Sequence, residues 1–262
     1  MLHCQLDQNR SRRADQPTLT TPLSELSVHR FSTDRELAQS VAAAWLEEVA
    51  RQSRNRPYCV ALSGGRITLK FFEAAITESR MRRVLLTNVE FFWADERCVP
   101  PTDVESSFGA AEKGFFQPLA IPTERIHRIR GEETPEFAAQ QAEAEICRIA
   151  PLDAEGQPVL DLILLGMGED GHVASLFPGE PESLITDPSV YRVIRNSPKP
   201  PPVRVTLGYP AIAAARNIWV LISGAGKVSA LRESLAKDGK TPLARVLRSH
   251  SSCRVFTDIQ LG

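Results

Sequence analysis

The sequence predicts an α/β fold with a mostly parallel sheet. Two observations carry that reading. Strand-like apolar runs alternate with helical patterns along most of the chain, as β-α-β connections require. The run Asp161-Leu162-Ile163-Leu164-Leu165 is nearly continuously apolar and does not alternate, which marks a strand covered on both faces. A length of 262 residues suits one large domain or two small ones and can bury a sizeable core. No internal repeat is visible, so one main domain over residues 27–262 is expected.

Each element has its own signal. Thr33 and Glu36 form a T-x-x-E capping box that opens a helix running to about Gln52. Leu37, Val41, Trp45 and Val49 recur on one face of that helix. The strand Tyr58-Cys59-Val60-Ala61-Leu62 follows, broken by Gly64-Gly65, and a helix spans about Ile67 to Ser79. The aromatic run Val89-Glu90-Phe91-Phe92-Trp93 ends in Ala94-Asp95-Glu96-Arg97. Residues 104–116 read as a helix. Another begins at Thr134, as N-cap, with Pro135 in the first turn, and runs to about Ile149. Further strands are expected at Val203–Leu207, Asn217–Ile222 and Arg254–Thr257, with helices near 209–215, 226–237 and 242–248. Four prolines in Pro198–Pro202 read as a stiff surface loop.

Residues 1–26 are polar, with Arg10, Arg12, Arg13, Pro17 and Pro22, and read as a flexible tail. No apolar stretch of about 7–15 residues follows the start, against a secretory signal, and Asp7 and Asp15 count against a transit peptide. Hydrophobic residues make up 42% and charged residues 24%, with a formal net charge of −1. That balance speaks against a general nucleic-acid binder. No run of about 18 apolar residues offers a membrane-spanning helix. The five cysteines are scattered and form no C-x-x-C, which excludes a dense disulfide framework or a local zinc knuckle and suits a reducing cytoplasm. Cys59 reads as plain core.

Ligands of open α/β sheets collect at the carboxyl ends of the strands, and several such ends here are polar or glycine-rich. Ser63-Gly64-Gly65-Arg66 is either a structural tight turn or an anion cradle at a helix N-terminus. It is neither a P-loop nor G-x-G-x-x-G. Asp95-Glu96-Arg97 is either a solvated strand end or a polar rim, with Asp95 suited to proton transfer and Arg97 to an oxyanion or phosphate. Gly166–Gly179 holds four glycines in fourteen residues, a loop for close backbone approach. Within it, His172 has the chemistry of a general base, Asp170 can orient it, and N–H groups around Gly168 face whatever binds. Arg204 and Thr206 share one side of a strand, and Lys227 in Gly224-Ala225-Gly226-Lys227 can reach a phosphate. Each of these cations alone is equally a surface charge.

Together the segments S-G-G, D-E-R, G-M-G-E-D-G-H-V-A-S-L-F-P-G, R-V-T-L-x-x-P and G-A-G-K resemble the 6-phosphogluconolactonase family over roughly residues 28–260. The resemblance implies a Rossmann-like open, mostly parallel sheet with helices on both faces. It implies hydrolysis of 6-phospho-D-glucono-1,5-lactone to 6-phospho-D-gluconate, in the oxidative pentose phosphate pathway, with no organic cofactor and no essential metal. His172 corresponds to the family's base. Ser63, Gly64, Gly65, Asp95, Arg97, Arg204 and Lys227 correspond to its sugar and phosphate contacts. The expected partner is thus a small phosphosugar lactone, with no nucleic acid or membrane, bound by a monomer or small homo-oligomer.

Two departures stand out. The family's S-G-G-S-T-P is here Ser63-Gly64-Gly65-Arg66-Ile67-Thr68, and Arg66 is expected to grip phosphate by charge instead of hydroxyl contacts. A common S-N-Y is here Ser106-Ser107-Phe108, so one sugar-hydroxyl contact is expected to be missing. Ser63 and Ser175 lack the G-x-S-x-G context of a serine nucleophile. A glucosamine-6-phosphate deaminase or isomerase is the alternative enzyme, but such relatives continue D-G-H with I-A-F-N-E-P, where this chain has Val173-Ala174-Ser175-Leu176-Phe177-Pro178. A non-catalytic sugar-phosphate binder is the alternative outside catalysis, and it leaves His172 without a purpose.

Overall fold

The computed structural model describes residues 26–52 and 55–261. The expected tail at residues 1–26 lies outside them apart from Leu26. The chain runs β1 (Ser27–Arg30), α1 (Asp34–Arg51), β2 (Tyr58–Leu62), α2 (Arg66–Arg82), β3 (Val89–Trp93), β4 (Asp95–Arg97) and α3 (Ser107–Ala111). A π-helical turn, Glu112–Phe116, leads into α4 (Gln117–Leu119), then α5 (Pro135–Ile149), β5 (Leu162–Gly166), α6 (Glu182–Ile185), β6 (Tyr191–Ile194) and β7 (Arg204–Leu207). Last come α7 (Tyr209–Ala213), β8 (Ile218–Ile222), α8 (Val228–Leu235), α9 (Pro242–Ser249) and β9 (Cys253–Thr257).

Among the described residues, six strands form one parallel sheet in the order β1-β9-β8-β5-β2-β3. Every residue of β2, β3 and β8 is buried, so both faces of the sheet are covered, as the absence of alternation predicted. Helix α1 lies against α2, and α8 against α9. Trp45 of α1 meets Phe71 of α2 and Phe91 of β3 edge-on, which joins helix layer to sheet through apolar burial. Cys59 is fully buried core, as read.

From β2 the chain builds outward to β3, then returns to β5 and builds the other way through β8 and β9. The sheet therefore has its topological switch between β2 and β5, where a crevice opens beyond the carboxyl ends. Those two strands carry the Ser63-Gly64-Gly65 and Gly166–His172 loops.

Several expectations need correction. Residues 203–207 do not join the parallel sheet. Arg204–Leu207 forms β7 of a separate antiparallel sheet, β4-β7-β6. Asp95-Glu96-Arg97 is likewise a new strand and not the end of the aromatic one. Ala94 divides the two, donating its N–H to Leu62 and accepting from Leu207. The helix expected from 104 starts at Ser107, because Ser106 takes Gly109 N as an N-cap. In the first capping box Thr33 accepts from Glu36 N at 3.1 Å, while Glu36 reaches one residue further back, to Ser32 N. Thr134 precedes α5 in extended backbone but makes no side-chain cap.

Candidate active site

The loop after β2 turns on Gly65, whose φ of 116° is open to glycine and strained for other residues. No side chain caps the α2 that follows, so its first turn presents backbone N–H groups at the switch-point crevice. Arg66 is the first residue of this helix.

The loop after β5 folds back on itself. Gly168 N donates to His172 O at 2.9 Å and Gly171 N to Gly168 O at 3.1 Å, with Gly171 at φ 80°. This brings His172 Nδ1 to 2.5 Å from Asp170 Oδ1. A Cβ built on Gly168 would overlap the imidazole at Cε1 and Nδ1, so the ring occupies the space that only glycine leaves free. Phe177 supports the ring from another side, with centroids 4.8 Å apart.

The protonation of this pair follows from its surroundings. Burial pushes the Asp170 carboxyl up, but the charge of His172 and hydrogen bonds from its ring and backbone outweigh it and hold Asp170 below its ordinary value. An ionised carboxylate only accepts, so Nδ1 is the donor and Nε2 carries the lone pair. Nε2 makes no hydrogen bond within the described residues. Burial lowers the His172 pKa, Asp170 opposes that, and Lys199 adds to it. The net fall favours the neutral imidazole.

Asp95 and Arg204 enter from the antiparallel sheet. Ser175, fully buried, donates its Oγ to Asp95 Oδ2 at 2.7 Å and receives Arg204 Nη1 at 3.4 Å. It is a brace between these two side chains and not a nucleophile. Thr206, expected to share a ligand with Arg204, is also fully buried. Its hydroxyl receives Ser175 N and bonds the Ala94 and Leu207 carbonyls. Arg204 is held by the carbonyls of Lys199, Pro200 and Pro201. The proline-rich stretch is therefore a wall of the crevice, not merely a surface loop. Arg97 gives Nη1 to both the backbone and carboxylate of Glu105.

These elements enclose a cleft of about 390 Å³. Of the expected residues, Ser63, Gly64, Gly65, Arg66, Asp95, Arg97, Gly168, His172, Arg204 and Lys227 line it, and Asp170 and Thr206 do not. Asp170 stands behind His172. Sequence reasoning gave no role to Glu169 and Lys199, which also line the cleft, as does Ser107, where the S-N-Y asparagine contact was expected to be missing. Among the described residues, five cationic side chains face it, Arg66, Arg97, Lys199, Arg204 and Lys227, against the carboxylates of Asp95 and Glu169. Burial first, then repulsion from Arg66 and Lys199, holds the Lys227 ammonium below its ordinary value. An anion entering the cleft would relieve that repulsion.

A parallel-sheet α/β protein with a cationic cleft and a carboxylate-bound histidine at its switch point belongs with enzymes of small anionic substrates. The chain belongs to the glucosamine-6-phosphate isomerase/6-phosphogluconolactonase family, whose model matches residues 32–255. It is 35% identical to a 6-phosphogluconolactonase of Haemophilus influenzae over 203 residues, which is 78% of this chain and 83% of the relative. A 6-phosphogluconolactonase of Treponema pallidum is 38% identical over 197 residues, 74% of this chain and 80% of the relative. The solved 6-phosphogluconolactonase of Trypanosoma brucei superposes with a TM-score of 0.76 at 28% identity, covering 89% of this chain and 96% of the other.

Proposed function

We propose that this chain hydrolyses 6-phospho-D-glucono-1,5-lactone to 6-phospho-D-gluconate, the lactonase step of the oxidative pentose phosphate pathway, with His172 as base. The observation that carries the reading is the His172–Asp170 pair, with Nε2 free in a cation-lined cleft. Nε2 takes a proton from water as the water oxygen bonds to the lactone C1 carbonyl carbon. N–H groups of the Gly166–Gly171 loop, or Arg97, stabilise the resulting oxyanion. The intermediate collapses by breaking the bond from C1 to the ring oxygen, which receives the proton from Nε2. The carboxylic acid formed ionises to the carboxylate, and His172 returns to its starting state. Asp95, with one oxygen tied to Ser175, accepts from a sugar hydroxyl. A δ-lactone is already activated, so one positioned base worth about 10²–10⁴-fold is sufficient chemistry.

The phosphate is bound by the α2 N-terminus with Gly64, Gly65 and Arg66, and by Lys227 and Arg204. Binding this remote group orients the ring over the base. Replacing Arg66 with alanine should raise KM for the phosphorylated lactone roughly tenfold, as loss of one partly solvated charge-assisted contact does. Unphosphorylated gluconolactone should be unaffected. An unchanged KM for the phosphorylated substrate would remove Arg66 from the grip.

The pH dependence has a defined sign. Activity requires neutral His172, so kcat/KM falls on the acid side, below the ordinary imidazole value of 6.5 because the pKa is lowered. The Asp170 charge favours imidazolium and opposes that lowering. Asp170→Asn should therefore move the acid limb to still lower pH, and reduce kcat by loosening the tautomer. A limb that stays in place or moves up in a pH–rate profile would break the assignment.

The four described cysteines are free thiols, which supports action in the reducing cytoplasm. No described helix is long and apolar enough to cross a membrane. We assign the chain a small-molecule substrate, as a monomer or small homo-oligomer.

A further inference from the structure

The hydrogen bonds that fix the His172 ring lie inside its own loop. Gly168 N to His172 O, Gly171 N to Gly168 O, His172 N to Asp170 Oδ1 and Nδ1 to Asp170 Oδ1 all join residues 168–172 to one another. They set the ring against the loop but do not set the loop against the cleft. Among the described residues, one backbone hydrogen bond ties residues 168–172 to another element: Leu243 N donates to Gly171 O at 3.1 Å. The peptide group between Gly171 and His172 is therefore held by the first turn of α9.

That turn is arranged around Thr241. The first N–H groups of a helix have no intrahelical acceptor, and Pro242, first in α9, has no N–H. Thr241 Oγ1 accepts from Ala244 N at 3.0 Å, which leaves Leu243 N for Gly171. Thr241 is 6% exposed. Its Cβ and methyl lie against Gly171, where an added Cβ would stand 2.6 Å from each. On its other side, Thr241 Oγ1 is 2.6 Å from Ser234 Oγ. Ser234 donates to Ala230 O at 2.7 Å, so the Thr241 hydroxyl is the donor across that contact. The same Ser234 Oγ stands 3.9 Å from Met167 Sδ, where the loop begins. Ser234 and Ala230 belong to α8, which starts directly after Lys227.

We propose that Thr241 is a positioning residue for His172: by capping α9 and bracing it on α8, it holds the Leu243 N–H on the Gly171 carbonyl and so fixes the base relative to the bound lactone. Thr241 does not line the cleft and acts only through the loop. The groups proposed to hold the phosphate lie on α2, on β7 and in the turn before α8. Alignment of Nε2 with the lactone C1 therefore depends on what ties the loop to the rest of the fold. This inference rests on the lactonase reading.

The test compares Thr241→Val, which keeps the shape and loses the hydroxyl, with Thr241→Ser, which keeps the hydroxyl. Both kcat and KM for the phosphorylated lactone are measured well below the Tm of each variant, and exchange of the Leu243 amide is followed by NMR. Thr241→Val should lose about tenfold in kcat, less than the roughly 10²-fold cost of a displacement of about an ångström. Its KM should stay within about twofold, and its Leu243 amide should exchange faster than in wild type. Thr241→Ser should keep kcat within about twofold of wild type. A purely structural role would lower Tm and leave the kcat of the folded protein unchanged. That result, or equal losses in both variants, would overturn the proposal. If Thr241→Val does not fold, Ser234→Ala takes its place, with kcat expected to fall about threefold at unchanged KM; a wild-type kcat there would overturn it equally. A wild type no faster than buffer would instead overturn the lactonase reading on which the proposal stands.

Discussion

Replacing His172 with alanine should lower kcat for lactone hydrolysis by at least about 10²-fold and leave KM nearly unchanged. Among the described residues that line the cleft, the imidazole is the one neutral base with a free lone pair, because Nδ1 is committed to Asp170. Burial lowers its pKa, which favours the neutral form. The cations proposed to hold the phosphate sit on other elements, Arg66 on α2, Arg204 on β7 and Lys227 in the turn after β8, so binding should survive. The residual rate of the variant should also lose the acid limb of the wild-type pH profile. Turnover at the wild-type level would remove His172 from the chemistry.

The second large effect is expected at a residue with no side chain. Gly168→Ala should lower kcat by about 10²-fold, the cost of displacing a reacting group by about an ångström. The added methyl would overlap the imidazole and come within 2.7 Å of Asp170 Oδ1. The ring has no easy escape, since Asp170 and Phe177 hold it. Both members of the pair must shift, and the Nδ1 bond that fixes the tautomer is lost. The fold should persist, so Tm and KM should stay near wild type while kcat falls. A variant within a few-fold of wild-type kcat would show that the loop absorbs the methyl and that ring placement is not critical.

The central sheet was legible because burial on both faces leaves a strong compositional mark. Tyr58–Leu62 and Leu162–Leu165 are such strands, and the glycine-rich loops after them name the switch point directly. The short strands were not legible. Ser27–Arg30 is an edge strand with two exposed residues and half-polar sequence, and Tyr191–Ile194 owes its pairing to β7 and its cover to α5. The antiparallel grouping of β4, β6 and β7 depends on contacts distant in sequence, which no local pattern records.

In the site, most charged and glycine-rich residues announced themselves, and Lys199 did not. For Lys199 a signal was available. Consecutive prolines lack N–H groups to pair with neighbouring carbonyls, so the carbonyls of Pro198–Pro202 need outside donors. Arg204 supplies them to Lys199, Pro200 and Pro201 and Ser197 N to Pro202, and the Arg204 bonds place the loop, with Lys199, against the cleft.

Lactone hydrolysis by this chain is decided by the initial rate at which purified protein consumes 6-phospho-D-glucono-1,5-lactone, generated in situ from glucose 6-phosphate by its dehydrogenase. The expected rate exceeds spontaneous hydrolysis, is proportional to protein, saturates with lactone and yields 6-phospho-D-gluconate. A rate equal to that of buffer alone at every protein concentration would contradict it.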